Sequence, residues 1–394
     1  MLVAALGYFV DVYDLLLFSI VRVASLVDLG VPQSDVLEVG VRLINTQMIG
    51  LLVGGVLWGI LADNLGRRSV LFGSILLYSL ANIANGFVQT VEQYQWLRLI
   101  AGIGLAGELG AGITLVSEIM SREGRGWGTT IVASLGLLGA VVAGLVGDLF
   151  PWRTAFFVGG AMGLALLVLR IGVNESTMFE GIRKRSVGKG NIFALFATRS
   201  RALRYLAVVM VGLPTWFVMG ILITFSPEIG RALGLDPAPI AGRAVMFGYI
   251  GATIGDLLSG FLSQVLRSRK KAIALFLGFC TLGVVNYFVM GRISLPFFYL
   301  ACGLLGAMSG YWAVFVTVAS EQFGTNLRGT VASTAPNFVR GAVVPLTLMF
   351  QAFKPGLGIP GSAMAVGAIS FLIAYLSLTR LEETFGKDLD YVEQ

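Results

Sequence analysis

An all-α integral membrane protein, with twelve transmembrane helices in two pseudo-symmetric six-helix bundles, is the fold this sequence predicts. The grounds are its composition, a series of twelve apolar stretches, and marks that recur in both halves. Of 394 residues, 56% are hydrophobic and 13% charged, and the mean hydropathy is +0.84. A soluble domain carries about a quarter charged residues; half that leaves too little polar surface to face water. Soluble, disordered, fibrous and disulfide-scaffold classes are thereby excluded. Glycine is abundant at 52 and proline modest at 11, which suits closely packed membrane helices. The chain has no histidine. That removes His-Glu-x-x-His metal sites, Ser-His-Asp triads and histidine proton relays together. Cys280 and Cys302 both fall in apolar segments and read as small buried thiols.

Each membrane helix needs about 20 mainly apolar residues. The first stretch, 2–27, is too long for a signal peptide and holds Asp11 and Asp14 inside its apolar run. The second, 40–62, ends in Gly59-Ile-Leu-Ala-Asp63, followed by Gly66, Arg67 and Arg68. The third and fourth are 70–90 and 95–119, the fourth closing on Ser117-Glu118. The fifth is 127–149, and Pro151-Trp152-Arg153 introduces the sixth, 152–172. The seventh, 203–226, is interrupted by Pro214. The eighth, 241–265, carries Asp256 and ends Gly260-Phe-Leu-Ser-Gln264 before a basic run. The ninth and tenth are 272–291 and 295–319, with Ser320-Glu321 just beyond. The eleventh, 331–353, holds Pro336, Arg340 and Pro345, and the twelfth is 361–379. The domain plan is therefore an N-terminal bundle over 1–172, a hydrophilic linker over 173–202, a C-terminal bundle over 203–380 and a tail over 381–394.

The basic residues orient this plan. With the N-terminus in the cytoplasm, nineteen Lys and Arg fall on the inner side and eight on the outer, with Arg340 left inside a span. The positive-inside rule then places both termini in the cytoplasm. The same sorting accounts for the net charge of +6 without any nucleic-acid partner. Compact outer loops point to a bacterial inner membrane.

The halves repeat each other. Gly59 and Gly260 open related runs 201 positions apart. Glu118 is followed by Arg125-Gly126 at the same spacing as Glu321 by Arg328-Gly329. Such repeats place a substrate site near the midplane, between halves that rock against each other. Here the chain resembles the major facilitator superfamily. The resemblance is carried by Gly59-x-x-x-Asp63-x-x-Gly66-Arg67-Arg68, by Arg98…Gly102-x-Gly104-x-x-Gly107-Glu108…Glu118…Arg125-Gly126, by Pro151-Trp152-Arg153 and by Glu382-Glu383-Thr384-Phe385-Gly386-Lys387. It covers essentially the whole chain. Asp11-Val-Tyr13-Asp14-Leu15 and Glu175-Ser-Thr-Met-Phe179 are similar to the branch holding metabolite–proton and aromatic-acid–proton symporters, and Arg340-Gly341…Pro345 is similar to organic-anion carriers. Gln264 stands where the second motif copy would carry its acid, and no cluster of sugar-binding glutamines and asparagines is present. The resemblance implies a cytoplasmic gate: Gly59, Asp63, Gly66, Arg67, Arg68, Glu118, Arg125, Glu321 and Arg328 form a charged latch, extended by Glu175 and Glu383. Plain inner-surface solvation is the alternative reading of these charges.

The charges inside the spans are the sharper signal. Asp11, Asp14, Glu108, Asp256 and Arg340 all fall near the middle of their stretches. One charge there costs roughly 2.5–3.5 kcal/mol or more, so each should face a cavity, pair, or bind something. Asp11 and Asp14 are three apart and should share a helix face. Without histidine, a coupled proton must ride on acids, and Asp11, Asp14, Glu108 and Asp256 are the candidates. Arg340 cannot lose its proton, and its fork suits a carboxylate; Asn337, one turn earlier, could add a hydrogen bond. Tyr13, Trp216, Tyr311 and Trp312 are the aromatics that could line a path, packing being the alternative for each. A structural ion pair, such as Arg340 neutralising Asp256, is the rival reading of the charges.

The expected function is secondary active transport of a small anionic metabolite by alternating access, coupled to protons. The alternatives are a uniporter or a drug/cation exporter on the same fold, or a solute sensor. No phosphate loop, metal cluster or nucleophile–base pair marks an enzyme. No metal and no cofactor is expected; the partners are the solute, H+ and the lipid bilayer, with a monomer sufficient.

Overall fold

The computed structural model describes residues 2–65, 67–119, 125–170, 192–387 and 393. For 2–4, 59, 62–65, 67–68, 108–119, 125–130, 192 and 325 it describes the backbone course alone. The first six spans are continuous helices: α1 (Leu2–Asp28), α2 (Val36–Leu65), α3 (Arg67–Asn85), α4 (Val91–Ile119), α5 (Arg125–Leu149) and α6 (Trp152–Arg170).

The last six are broken more often. The seventh runs as α7 (Arg199–Val211), α8 (Leu213–Phe217), a π-helical turn (Val218–Ile223) and α9 (Ser226–Ala232). Pro214 sits in the first turn of α8 and Pro227 in the first turn of α9, where a missing N–H is tolerated. The eighth and ninth are α10 (Ala241–Val265) and α11 (Arg269–Met290). The tenth is α12 (Leu295–Ser309) and α13 (Trp312–Glu321), separated at Gly310 and Tyr311. The eleventh is α14 (Thr325–Gly341) and the beginning of α15 (Val343–Arg380). Pro345 has no N–H for the Gly341 carbonyl, so the ladder lapses there. Together the two helices take 55 residues from Asn326 to Arg380, about 80 Å at 1.5 Å per residue, twice a membrane. The second turns at Gly358, where φ is +65°, between the eleventh and twelfth spans expected from sequence.

Sequence repetition has a packing counterpart. Gly50 and Gly54 of α2 lie against the α4 backbone at Leu99 and Ile103, and Gly251 and Gly255 of α10 lie against the α12 backbone at Gly303 and Ala307. The second pair stands 201 positions after the first, the offset of Gly59 and Gly260. A methyl group at any of the four would meet a carbonyl oxygen.

The bundles meet along α5 against α10 and along α2 and α4 against α14. At the end bearing Arg22 they are tied by ions: Arg22 Nη2 lies 2.7 Å from Glu228 of α9, and its guanidinium sits 5.2 Å over the Phe225 ring. Asp148 of α5 accepts from Arg243 of α10 at 3.1 Å. Large apolar side chains such as Phe87, Val168 and Leu282 remain exposed, as a membrane-spanning surface requires.

Candidate functional site

A cavity of about 30 Å³ lies between the bundles, lined by α1, α5, α8, the π turn, α10, α12, α13 and α14. A water needs about 10–15 Å³ of such space, so this conformation has room for about two. Arg340 lines it and is 1% exposed. Its Nη2 donates to Asp11 Oδ2 at 3.1 Å, across the boundary between the bundles. Its Nε and Nη1 have no hydrogen-bond partner among the described residues. The guanidinium carbon lies 5.9 Å from the Trp216 ring centre. Trp216 and Trp312, both lining the cavity, meet edge to face at 6.3 Å. The site thus offers a fixed cation with open N–H groups beside two indoles.

Asp256 also lines the cavity, but it does not pair with Arg340. Its Oδ1 accepts from the Ala313 N–H at 2.8 Å, while Oδ2 has no hydrogen-bond partner among the described residues. The break at Gly310 creates the helix start at Trp312, and the carboxylate caps that positive end. The reading of Arg340 as the neutraliser of Asp256 is corrected: Asp11 is its partner. Gly310 is indispensable to this corner. A Cβ there would lie 2.6 Å from the backbone of Gly255 and Asp256.

Asp11 and Asp14 diverge although three residues apart. Asp11 turns to the second bundle; Asp14 turns into the first, packed on Gly159 of α6. Asn82 and Arg98 act on it there. Arg98 is fully buried, donates to Asn82 Oδ1 at 3.0 Å and Asn85 Oδ1 at 3.3 Å, and stacks 4.8 Å over Phe156. A second polar site therefore lies inside the first bundle.

Three expected lining residues face elsewhere. The Tyr13 hydroxyl donates to the Ala155 carbonyl of α6 at 2.9 Å. The Tyr311 hydroxyl donates to the Val211 carbonyl at 2.8 Å, tying the break in span ten to the break in span seven. Asn337 donates to the Ala106 carbonyl of α4 at 3.1 Å, joining the bundles rather than lining the cavity. Each hydroxyl or amide satisfies a backbone carbonyl freed or exposed at a helix contact.

The charged latch is described in part. Gly66, the linker over 173–191 and the side chains of Asp63, Arg67, Arg68, Glu108, Glu118 and Arg125 lie outside the described residues. Glu321 takes Arg269 of the second bundle at 3.5 Å and the Thr384 hydroxyl of the tail at 2.7 Å. Glu383 caps α11, accepting from the Arg269 and Lys270 N–H groups and the Ser268 hydroxyl. Burial pushes the Glu383 carboxyl up, but these hydrogen bonds outweigh it and hold it below the usual carboxylate range.

Sequence reading missed Tyr8 and Tyr249, which line the cavity. Tyr8 stands one turn before Asp11 and Tyr249 two turns before Asp256. Helical periodicity from each acid was the available signal.

A family model described as Major Facilitator Superfamily matches residues 4–347. The 3-(3-hydroxy-phenyl)propionate transporter of Escherichia coli is 28% identical over 339 residues, covering 84% of this chain and 81% of that protein. A niacin transporter of Acinetobacter baylyi is 25% identical, covering 99% and 95%. The crystal structure of a D-xylose-proton symporter superposes with a TM-score of 0.74 at 19% identity, covering 98% of both chains; that likeness shows the fold.

Proposed function

The chain belongs to the major facilitator superfamily, and on that premise we propose that it is a proton-coupled secondary transporter of small organic monocarboxylates, preferably aromatic ones. It is a multi-pass membrane transporter and not an enzyme. The observation that carries the substrate class is Arg340: a permanent guanidinium, lining the cavity beside Trp216 and Trp312. A carboxylate suits the guanidinium, and an aromatic ring suits the indoles. The relatives named for hydroxyphenylpropionate and niacin carry solutes of that chemistry. Asp11, Asp14, Glu108 and Asp256 are the acids available to protons, and the Asp14–Asn82–Arg98 group is a buried site within the first bundle. The two bundles, 1–172 and 203–380, work by alternating access, with both termini in the cytoplasm of a bacterial cell and one chain sufficient.

A thermal-shift series on purified protein tests the substrate class. A ligand that binds only the native state raises stability by RT ln(1 + [L]/Kd). Benzoate, 3-phenylpropionate and nicotinate should raise the melting temperature, and their uncharged amides should not. Asp256, with an open oxygen on the same cavity, favours one second reading, a cationic solute. Stabilisation by aromatic amines and not by the acids would select it.

A further inference from the structure

Arg340 already holds an anion, and that anion belongs to the protein. Asp11 Oδ2 lies 3.1 Å from Nη2, and neither side chain is more than 1% exposed. Residues 11 and 340 sit on opposite bundles, so the contact also spans the boundary that must open. The cavity reaches Arg340, whose Nε and Nη1 have no hydrogen-bond partner among the described residues.

We propose that Asp11 is the resident anion of the substrate site: an incoming carboxylate takes its place on Arg340, and Asp11 binds one proton as it is displaced. The inference rests on Arg340 as the anion site proposed above. The step balances. Arg340 stays a guanidinium throughout. Before binding, its charge is offset by Asp11; afterwards it is offset by the substrate, and the displaced carboxylate accepts H+ from water to become a carboxylic acid. A buried carboxylate stripped of its counter-charge is disfavoured by several kcal/mol, whereas its protonated form is not. Proton and substrate are thereby bound together, without any relay between distant sites.

The surroundings single out Asp11 among the acids. Among the described residues, the charged and titratable groups acting here include Arg340 from α14, Tyr8 and Asp14 from α1, and Tyr249 and Asp256 from α10. Asp256 keeps the Ala313 amide when a carboxylate arrives. Asp14 is not hydrogen-bonded among the described residues, and the groups that act on it, Arg98 and Asn82, lie within the first bundle and do not line the cavity. Asp11 is the acid whose ion pair an incoming carboxylate would take over.

The test measures benzoate binding to detergent-purified protein in weakly buffered solution with a pH-indicating dye, repeated from pH 5.5 to about 8. Wild type should take up close to one proton per benzoate bound. Its Kd should rise about tenfold per pH unit across the range in which that proton is taken up. Asp11→Asn should bind benzoate with no proton uptake and a flat pH profile. It should also melt lower than wild type without benzoate and gain more on adding it, because its Arg340 lacks a counter-charge. Asp11→Ser, which is also unable to ionise, is measured alongside and read if the amide variant does not fold. Proton uptake that persists in these variants, or is absent in wild type, overturns the proposal and leaves the anion site standing. Absence of binding by benzoate, 3-phenylpropionate and nicotinate in wild type and variants alike overturns both.

Discussion

Two carboxylates three residues apart serve different neighbours here, and residue-level consequences follow. Arg340→Lys keeps the charge but loses the fork, and should weaken carboxylate binding about tenfold, or 1.4 kcal/mol; Arg340→Ala should bring it below detection by calorimetry. Asp14→Asn leaves Arg340 and the indoles untouched. It should therefore leave accumulation driven by a pH gradient standing, whereas Asp11→Asn should abolish that accumulation while counterflow exchange of labelled substrate continues. Position along the chain put five charges near the middle of their apolar stretches. It did not reveal their partners, because three residues at about 100° each leave Asp11 and Asp14 only about 60° apart around the helix, and which bundle each one meets is set by packing rather than by that spacing. Tyr13, Tyr311 and Asn337 were misplaced for the same reason: each is claimed by a carbonyl on a helix distant in sequence.

Helix breaks show the same division between local and distant causes. The interruption at Pro214 and the lapse before Pro345 are written in proline itself. The break at Gly310 is not. Glycine alone does not end a helix there; the close approach of α10 does, since the Gly255–Asp256 backbone occupies the space of a side chain. Gly310→Ala should therefore force the α10 and α12 backbones apart and cost about 1–3 kcal/mol, with the loss read as a lowered melting temperature. Because the break also presents the Ala313 amide to Asp256, this variant should lose transport at temperatures where it remains folded. The π turn after Pro214 was likewise unread: it reflects how α8 and α9 are packed, not a residue signature.

For the molecule as a whole, twelve spans and an internal duplication were legible because both are patterns of many residues. The glycines at 50, 54, 251 and 255 repeat the sequence offset in the packing. Orientation rests on the distribution of Lys and Arg and has its own check. A cysteine introduced at position 190 should resist membrane-impermeant maleimide in intact cells and react after permeabilisation. The Asp11–Arg340 pair has an electrical consequence. If its negative member leaves as a neutral acid whenever a carboxylate arrives, the loaded carrier bears the same charge as the unloaded one. Each cycle then moves no net charge, and the membrane voltage does no work on it. Uptake into vesicles should follow the pH difference alone: a potassium diffusion potential imposed with valinomycin, of either sign, should leave the initial rate unchanged. A current measured on solid-supported membranes at saturating substrate would contradict this.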